Sequence, residues 1–393
     1  MASSPATGRS GRSWAHVGTV VLLAAFVALP LFVVGRRALS GYGPGALPYD
    51  LTIFLRAGDD VLAGRNPFPP GESFTSDASY VYPPLLAIAM IPLAVLPVAL
   101  AVLVWTVLAA VAIGAALWLL GVRDWRVYGL ALLLPFTRDA VGGGSIGPLL
   151  VLATALAWRY RDRRSSIAGV SVGLAAALKL FVWPLASWLA ATRRWRPAVV
   201  AVAVGVGAAF ASWAVIGFRG LGDYPAVLRR LTDLEAEESY SVLAVGRALG
   251  MSSPLAVALS LVVGGIFLAV MVRAAADERR TAFERDRVAL TAAVAAALVI
   301  TPILWMHYLV LLLVPLALAR PRLSPLWFVP LVPSAFKAVG WTPENWPSGD
   351  AASLGLVLGT AAVALAVLLL PGARYAAEGF RYSVIPPLRS RRG

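Results

Sequence analysis

The sequence predicts an all-α polytopic membrane protein, and three observations carry that assignment. Of 393 residues, 59% are hydrophobic and only 14% charged, with a mean hydropathy of +0.78, too apolar for a domain that meets water on every side. Apolar runs long enough to cross a bilayer recur along the chain. Basic residues fall in short clusters between the runs, as in RDWR at 123–126, RYRDRR at 159–164 and RRWR at 193–196. The 32 arginines and two lysines give a formal charge of +14. Such a charge invites a nucleic-acid partner, but Arg-rich short loops also mark the cytoplasmic side of membrane proteins. The placement favours orientation in a bilayer, and no nucleic acid is expected. The absence of cysteine excludes disulfides, thiolate metal sites and a cysteine nucleophile.

The elements follow in order. The run VGTVVLLAAFVALPLFVV at 17–34 lacks a following small-residue cleavage site and precedes many other runs, so it reads as a retained first span. The first extracytoplasmic loop, 35–84, contains PYDLTIFLRAGDDVLAGRNPF. Leu51, Phe54, Leu55, Val61 and Leu62 approximate a helical stripe and Gly64 a stop, which predicts a short amphipathic helix on the membrane surface. Asp50 stands at its start, where the ordinary role is an N-cap worth ~1 kcal/mol. YVYPPLLAIAMIPLAVLP then opens on a Pro-Pro helix start and is short enough to dip from the outer face.

With the first run, spans near 98–121, 127–137, 146–158, 166–178, 181–191, 198–217, 255–272, 288–304, 308–319, 323–340 and 351–370 make twelve crossings. A cytoplasmic N-terminus then gives the inside segments 23 of the 34 basic residues and a net charge of +16, against −2 outside, the positive-inside bias. Both termini, including the basic tail 372–393, lie in the cytoplasm on this reading, and 1–393 forms a single integral membrane domain. Two more outer loops remain. Residues 218–254 carry LEAEES, with Glu235, Glu237 and Glu238, beside Arg229, Arg230 and Arg247, and read as a solvated polar helix. GWTPENWPSGD at 340–350 is aromatic and turn-rich, as interfacial loops are.

The arginine clusters also bracket chain reversals. RYRDRR and RRWR both belong on the cytoplasmic side, yet only 28 residues separate them. The chain must go in and come back, with arms of about a dozen residues where a full span needs ~20. Short helices at membrane depth are tolerated when they are buried in protein or line a wet cavity. Lys179, in GLAAALKLFVWP, falls at that turn. TRDAVGGGSIG, with Arg138 and Asp139, is the turn between RDWR and RYRDRR, and TPILWMHY, with His307, the turn between Arg287 and Arg320.

Ionisable groups at membrane depth are functional by default expectation. Cations at Lys179 and Arg138 with a histidine at His307, all toward one face, suit an anionic phosphate, and Asp50 above them suits a general base for a hydroxyl. Tyr82, Arg247 and Glu238 are further loop residues placed to contact an acceptor. No Walker loop or dinucleotide fingerprint occurs, and GGGSIG follows an apolar arm instead of a Rossmann strand, so it is a weak phosphate cradle. No cofactor and no metal ligand set is expected. A transporter or lipid flippase has broken helices and buried ions too, but this chain lacks corresponding broken segments in two halves and has a long polar outer loop.

PYDLTIFLRAGDDVLAGRNPF with YVYPPLLAIAMIPLAVLP, GVSVGLAAALKLFVWP with its trailing RRWRP, and TPILWMHYLVLLLVPL together resemble glycosyltransferase family 87. These are the polyprenyl-phosphate-mannose-dependent α-(1→2)-mannosyltransferases of actinobacteria, with a GT-C membrane fold. The resemblance implies an inverting transfer of mannose from a polyprenyl-phosphate-mannose donor to a glycolipid or lipoglycan acceptor, outside the cytoplasm. It matches Asp50 to the base on the acceptor hydroxyl, and Lys179 and His307 to positions near the donor phosphate. GGGSIG stands where the family has Gly-Gln-x-Asn, and Tyr308 where it has a second histidine. A related transferase of another lipid-linked sugar, such as arabinofuranose, fits the same pattern.

Overall fold

The computed structural model describes residues 17–40, 48–68, 79–235 and 239–332, with the single positions 359, 362, 365, 366 and 369. The expectations for 333–340, for the loop 340–350, for 351–370 apart from those five positions, for Glu238 and for the tail 372–393 lie outside the described residues. Every regular element among the described residues is helical.

Helix α1 covers residues 17–40 and is interrupted by a π turn at Ala24–Ala28. Helix α2 is Tyr49–Leu62 and α3 is Pro84–Ala94, which starts on Pro83 and Pro84 as the Pro-Pro signal requires. Helix α4, Val98–Leu119, is the first of three that are long and apolar enough to cross a bilayer. Residues 127–137, expected as one span, are instead two helices, α5 (Trp125–Leu133) and α6 (Pro135–Gly142). The break has a local cause: Pro135 forces Leu134 out of helical conformation, to ψ 138°. The chain then turns by 114° between α6 and α7, Gly147–Tyr160.

Helix α8 is Ser165–Leu178; after Lys179 a 3₁₀ turn, Leu180–Val182, leads to α9, Pro184–Ala191. Helix α10, Trp195–Val215, is the second bilayer-length helix. Its Pro197 and Val200 meet Gly169, and its Ala201 and Val204 meet Gly173, so α8 and α10 run parallel with α9 returning between them. A Cβ on Gly173 would stand 2.5 Å from the Ala201 carbonyl oxygen; glycines here let the two backbones touch. Helices α11, Tyr224–Glu235, and α12, Val242–Ala248, occupy the second loop. The third bilayer-length helix is α13, Ser253–Ala276, packed along α14, Ala282–Ile300. A 3₁₀ segment, Met306–Leu312, continues into α15, Leu313–Ala319, and Pro325–Leu331 is again 3₁₀. Among the described residues three helices, or four if the bent pair α6–α7 counts as one, are long and apolar enough to cross a bilayer, and five shorter apolar helices have 10–17 residues.

The arginine clusters gather at one end of this bundle. Asp286, near the start of α14, pairs with Arg161 at 2.8 Å and with Arg194 at 2.7 Å, while Arg194 also reaches Asp162. RYRDRR and RRWR are therefore neighbours, and the chain between them does go out and return. Trp188 donates to the Asp286 carbonyl and stacks on Trp158. Asp124 caps α5, accepts a two-pronged bond from Arg126, and takes the amide of Leu323, which ties RDWR to the chain just beyond Arg320. Hydrogen bonding to Arg126 holds the Asp124 carboxyl down at about 2.

Candidate functional site

At the other end of the bundle, three turns and one loop helix meet. Helix α2 is seated first. Its buried face is Leu51, Ile53, Phe54, Ala57 and Gly58, and Gly58 lets the α3 backbone approach to 3.1 Å from where a Cβ would be. Its apolar face is thus packed into the protein, and the expected stripe fails at Leu62, which is 54% exposed. Pro48, not Asp50, is the N-cap. Asp50 is the second helical residue, its amide donates to the Gly143 carbonyl at 2.9 Å, and its carboxylate turns inward. Gly143 belongs to the turn GGGSIG. Gly144 there has φ +76°, and any Cβ on it would strike Leu51, so the turn serves as a seat for α2.

Helix α6 carries Asp139 into the same space. Lys179, in extended conformation between α8 and the 3₁₀ turn, donates from Nζ to the Tyr82 hydroxyl at 3.0 Å and lies 3.6 Å above the Tyr308 ring. Tyr82 and Phe181 complete the aromatic surround at 4.8 and 5.8 Å, an arrangement that disperses the ammonium charge without a carboxylate in contact. His307, buried at 7% exposure, stands between two carboxylates. Its Nε2 is 3.6 Å from Asp50 Oδ2, and its Nδ1 is 3.4 Å from Asp139 Oδ2. Asp50 Oδ2 and His307 Nε2 are both buried without a hydrogen-bond partner. Burial lifts the Asp50 carboxyl above the ordinary carboxylate range, a shift that His307 and Lys179 oppose.

These groups face one cavity of 1110 Å³. Val172 and Ala176 of α8 and Val202, Val206 and Ala209 of α10 form an apolar flank. Val202 and Val206 are 58% and 65% exposed, so the flank opens sideways through the apolar surface of the bundle. Leu228, Leu231, Thr232 and Glu235 of α11 close another side, so the polar helix expected there is half wall and half surface.

Of the residues singled out in the sequence, Asp50, Tyr82, Lys179 and His307 line the cavity together. Arg138 sits beside Asp139 on α6 but does not line it, and Arg247 bonds Ser253 and lies 3.8 Å from Asp233, away from the cavity. Glu238 lies outside the described residues, three positions after Glu235. Sequence reasoning passed over Asp139, Tyr308 and Glu235. The signal for Asp139 was the pair of ionisable residues in TRDAVGGGSIG, of which the arginine was preferred because a phosphate was in view.

Short broken helices thus surround a charged pocket whose apolar flank opens sideways, an arrangement tolerated at membrane depth where backbone is buried in protein or lines a cavity. Residues 80–302 match the model of glycosyltransferase family 87, and the chain belongs to that family. The matched region takes in Tyr82, Asp139 and Lys179. The chain is also 30% identical over 206 residues to a polyprenol-phosphate-mannose-dependent α-(1-2)-phosphatidylinositol pentamannoside mannosyltransferase of Mycolicibacterium smegmatis. That alignment covers 49% of this chain and 44% of the relative, so the chain spans less than half of the relative's length. No solved structure matches.

Proposed function

We propose that the protein is a membrane glycosyltransferase that moves mannose from a polyprenyl-phosphate-mannose donor to a hydroxyl of a glycolipid or lipoglycan, with inversion at the anomeric carbon. The observation that carries this reading is the meeting, in one cavity, of a buried carboxylate, a cation and a lateral apolar mouth. The donor's polyprenyl chain lies along the exposed face of α10 at Val202 and Val206, and its phosphate comes to Lys179. Among the described residues Lys179 is the only Lys or Arg lining the cavity, and Tyr82 occupies one of its three N–H donors, leaving it able to bond an anion.

Asp50 takes the proton of the acceptor hydroxyl as that oxygen bonds to the anomeric carbon. The bond from carbon to phosphate oxygen breaks with its electron pair going to the phosphate, whose growing charge faces Lys179. One base and a stabilised leaving group suffice for inversion in a single displacement. The family membership and the donor in the name of the mycolicibacterial relative support the choice of substrate class.

The cavity lies opposite the arginine clusters, which supports an extracytoplasmic site with both termini in the cytoplasm. In membranes given radiolabelled polyprenyl-phosphate-mannose, Asp50→Asn is expected to abolish transfer; parental transfer removes the assigned base. In this cysteine-free chain, a cysteine at exposed Asp223 should react with an impermeant thiol reagent applied outside and one at exposed Arg163 should not. The reverse pattern overturns the orientation.

A further inference from the structure

His307 has a carboxylate at each ring nitrogen, and only Asp50 has a role in the reading above. A neutral imidazole carries one proton, and the hydrogen bond made by one nitrogen decides what the other can do. Helix α6 supplies both constraints at once: its Asp139 faces Nδ1 at 3.4 Å, and the Gly143 carbonyl just beyond it holds the amide of Asp50 at 2.9 Å. The rest of the surroundings leave the ring few alternatives. Tyr308 lies edge-on at 4.8 Å, Nε2 has no hydrogen-bond partner apart from its approach to Asp50, and Lys179 is engaged with Tyr82 and the Tyr308 face.

We infer that Asp139 is a positioning residue that holds His307 as the Nδ1–H tautomer, so that a bare Nε2 faces Asp50 and receives the proton Asp50 takes from the acceptor. The proposal rests on the reading of Asp50 as the base. The atoms balance without a further reactant. The acceptor O–H proton passes to Asp50 Oδ2 and then to His307 Nε2, the new C–O bond forms, and the phosphate leaves with the electron pair of the broken bond. The resulting imidazolium lies between two carboxylates until products leave and the proton passes to water. Contacts of 3.4 and 3.6 Å are longer than hydrogen bonds, as catalytic contacts often are before substrate tightens them.

The chain has only two histidines, His16 and His307, so the tautomer can be read directly. Full-length protein labelled with ¹⁵N-histidine and reconstituted in lipid is measured by magic-angle-spinning NMR at pH 8, with His307→Gln assigning the signal. The parent is expected to show a protonated Nδ1 and a bare Nε2. Asp139→Asn is expected to move the proton to Nε2 and to lower kcat by about 10²-fold with both KM values within about threefold. Asp139→Glu should restore the tautomer and part of the rate, and Asp139→Asn should cost nothing further in a His307→Gln background. An Nε2–H ring or a doubly protonated ring in the parent overturns the inference, as does an Asp139→Asn protein with an unchanged tautomer. If Asp139→Asn is not recovered folded, the parent and Asp139→Glu spectra decide alone. Parental transfer by Asp50→Asn with the Nδ1–H tautomer intact would instead overturn the proposed base, so the two failures are distinguishable.

Discussion

Asp50 and Asp286 are both buried carboxylates, 15% and 9% exposed in their side chains, yet they sit in opposite electrostatic situations. Asp286, at the arginine end, has both oxygens bonded: Arg194 grips it through two nitrogens at 2.9 and 2.7 Å, and Arg161 adds a third bond at 2.8 Å. Asp50, at the cavity end, has an oxygen with no hydrogen bond, a histidine at 3.6 Å and a lysine held by aromatic rings. A fully paired carboxylate fixes geometry, and breaking such a pair leaves uncompensated buried charge. An underpaired one is a cost to the fold and an asset to chemistry, which is why perturbed groups gather at working sites.

The largest effect that tests this contrast is on turnover. Asp50→Asn should lower transfer by about 10²–10⁴-fold, while its thermal unfolding temperature at neutral pH stays level with the parent or rises. The sign follows from linkage: a carboxyl raised by burial is deprotonated at a higher pH in the folded state than in the unfolded. Its ionisation therefore subtracts stability as pH rises through that window, and the amide avoids the loss. Next, Asp286→Ala should destabilise by about 3–5 kcal/mol, read by thermal or denaturant unfolding in detergent. Stability unmoved by that change would break the comparison from the structural side.

Lys179→Gln should raise the donor KM about tenfold, since a hydrogen bond to a charged group contributes ~1.5–3 kcal/mol; steady-state kinetics with a donor series reads it. Lys179 also faces the charge that grows on the leaving phosphate, so kcat should fall as well; a parental KM together with a parental kcat would mark Lys179 as a fold residue like Arg194. The smallest effect expected is Arg194→Lys, which keeps the charge but loses the two-nitrogen grip on Asp286, at about 1–2 kcal/mol of stability with unchanged transfer. The pH profile sharpens the contrast further. Transfer should rise with pH through a value above the usual carboxylate range, where Asp50 loses its proton, and that limb should vanish in whatever activity Asp50→Asn retains.

Much of this was legible in the chain because charge placement is a local signal. RYRDRR and RRWR lie too close for two full crossings, and that fact alone put Lys179 at a turn, where the structure has it. Asp50, Lys179 and His307 could be picked out as ionisable groups in apolar or loop context. What escaped depended on partners remote in sequence. TRDAVG reads as turn because it has neither apolar length nor periodicity, yet it folds as α6 by burying Phe136, Thr137, Ala140 and Val141. Asp139 could not be ranked over Arg138 without knowing which faces His307. The seat of α2 could not be read from its own stripe, because the partner of Leu51, Phe54 and Ala57 is the rest of the core, and Gly58 is used to admit α3. The reading of 127–137 as one continuous helix failed at Pro135 for a purely local reason that was present in the sequence.

Asp50, Asp139, Lys179 and His307 come from four separate segments, and no stretch of chain contains two of them within hydrogen-bonding reach of its own making. The pocket therefore depends on packing between segments remote in sequence. It is completed only when the turn bearing His307, the last of the four to be synthesised, closes on the other three. A chain that ends before residue 307 would lack one of the four groups that meet in the cavity.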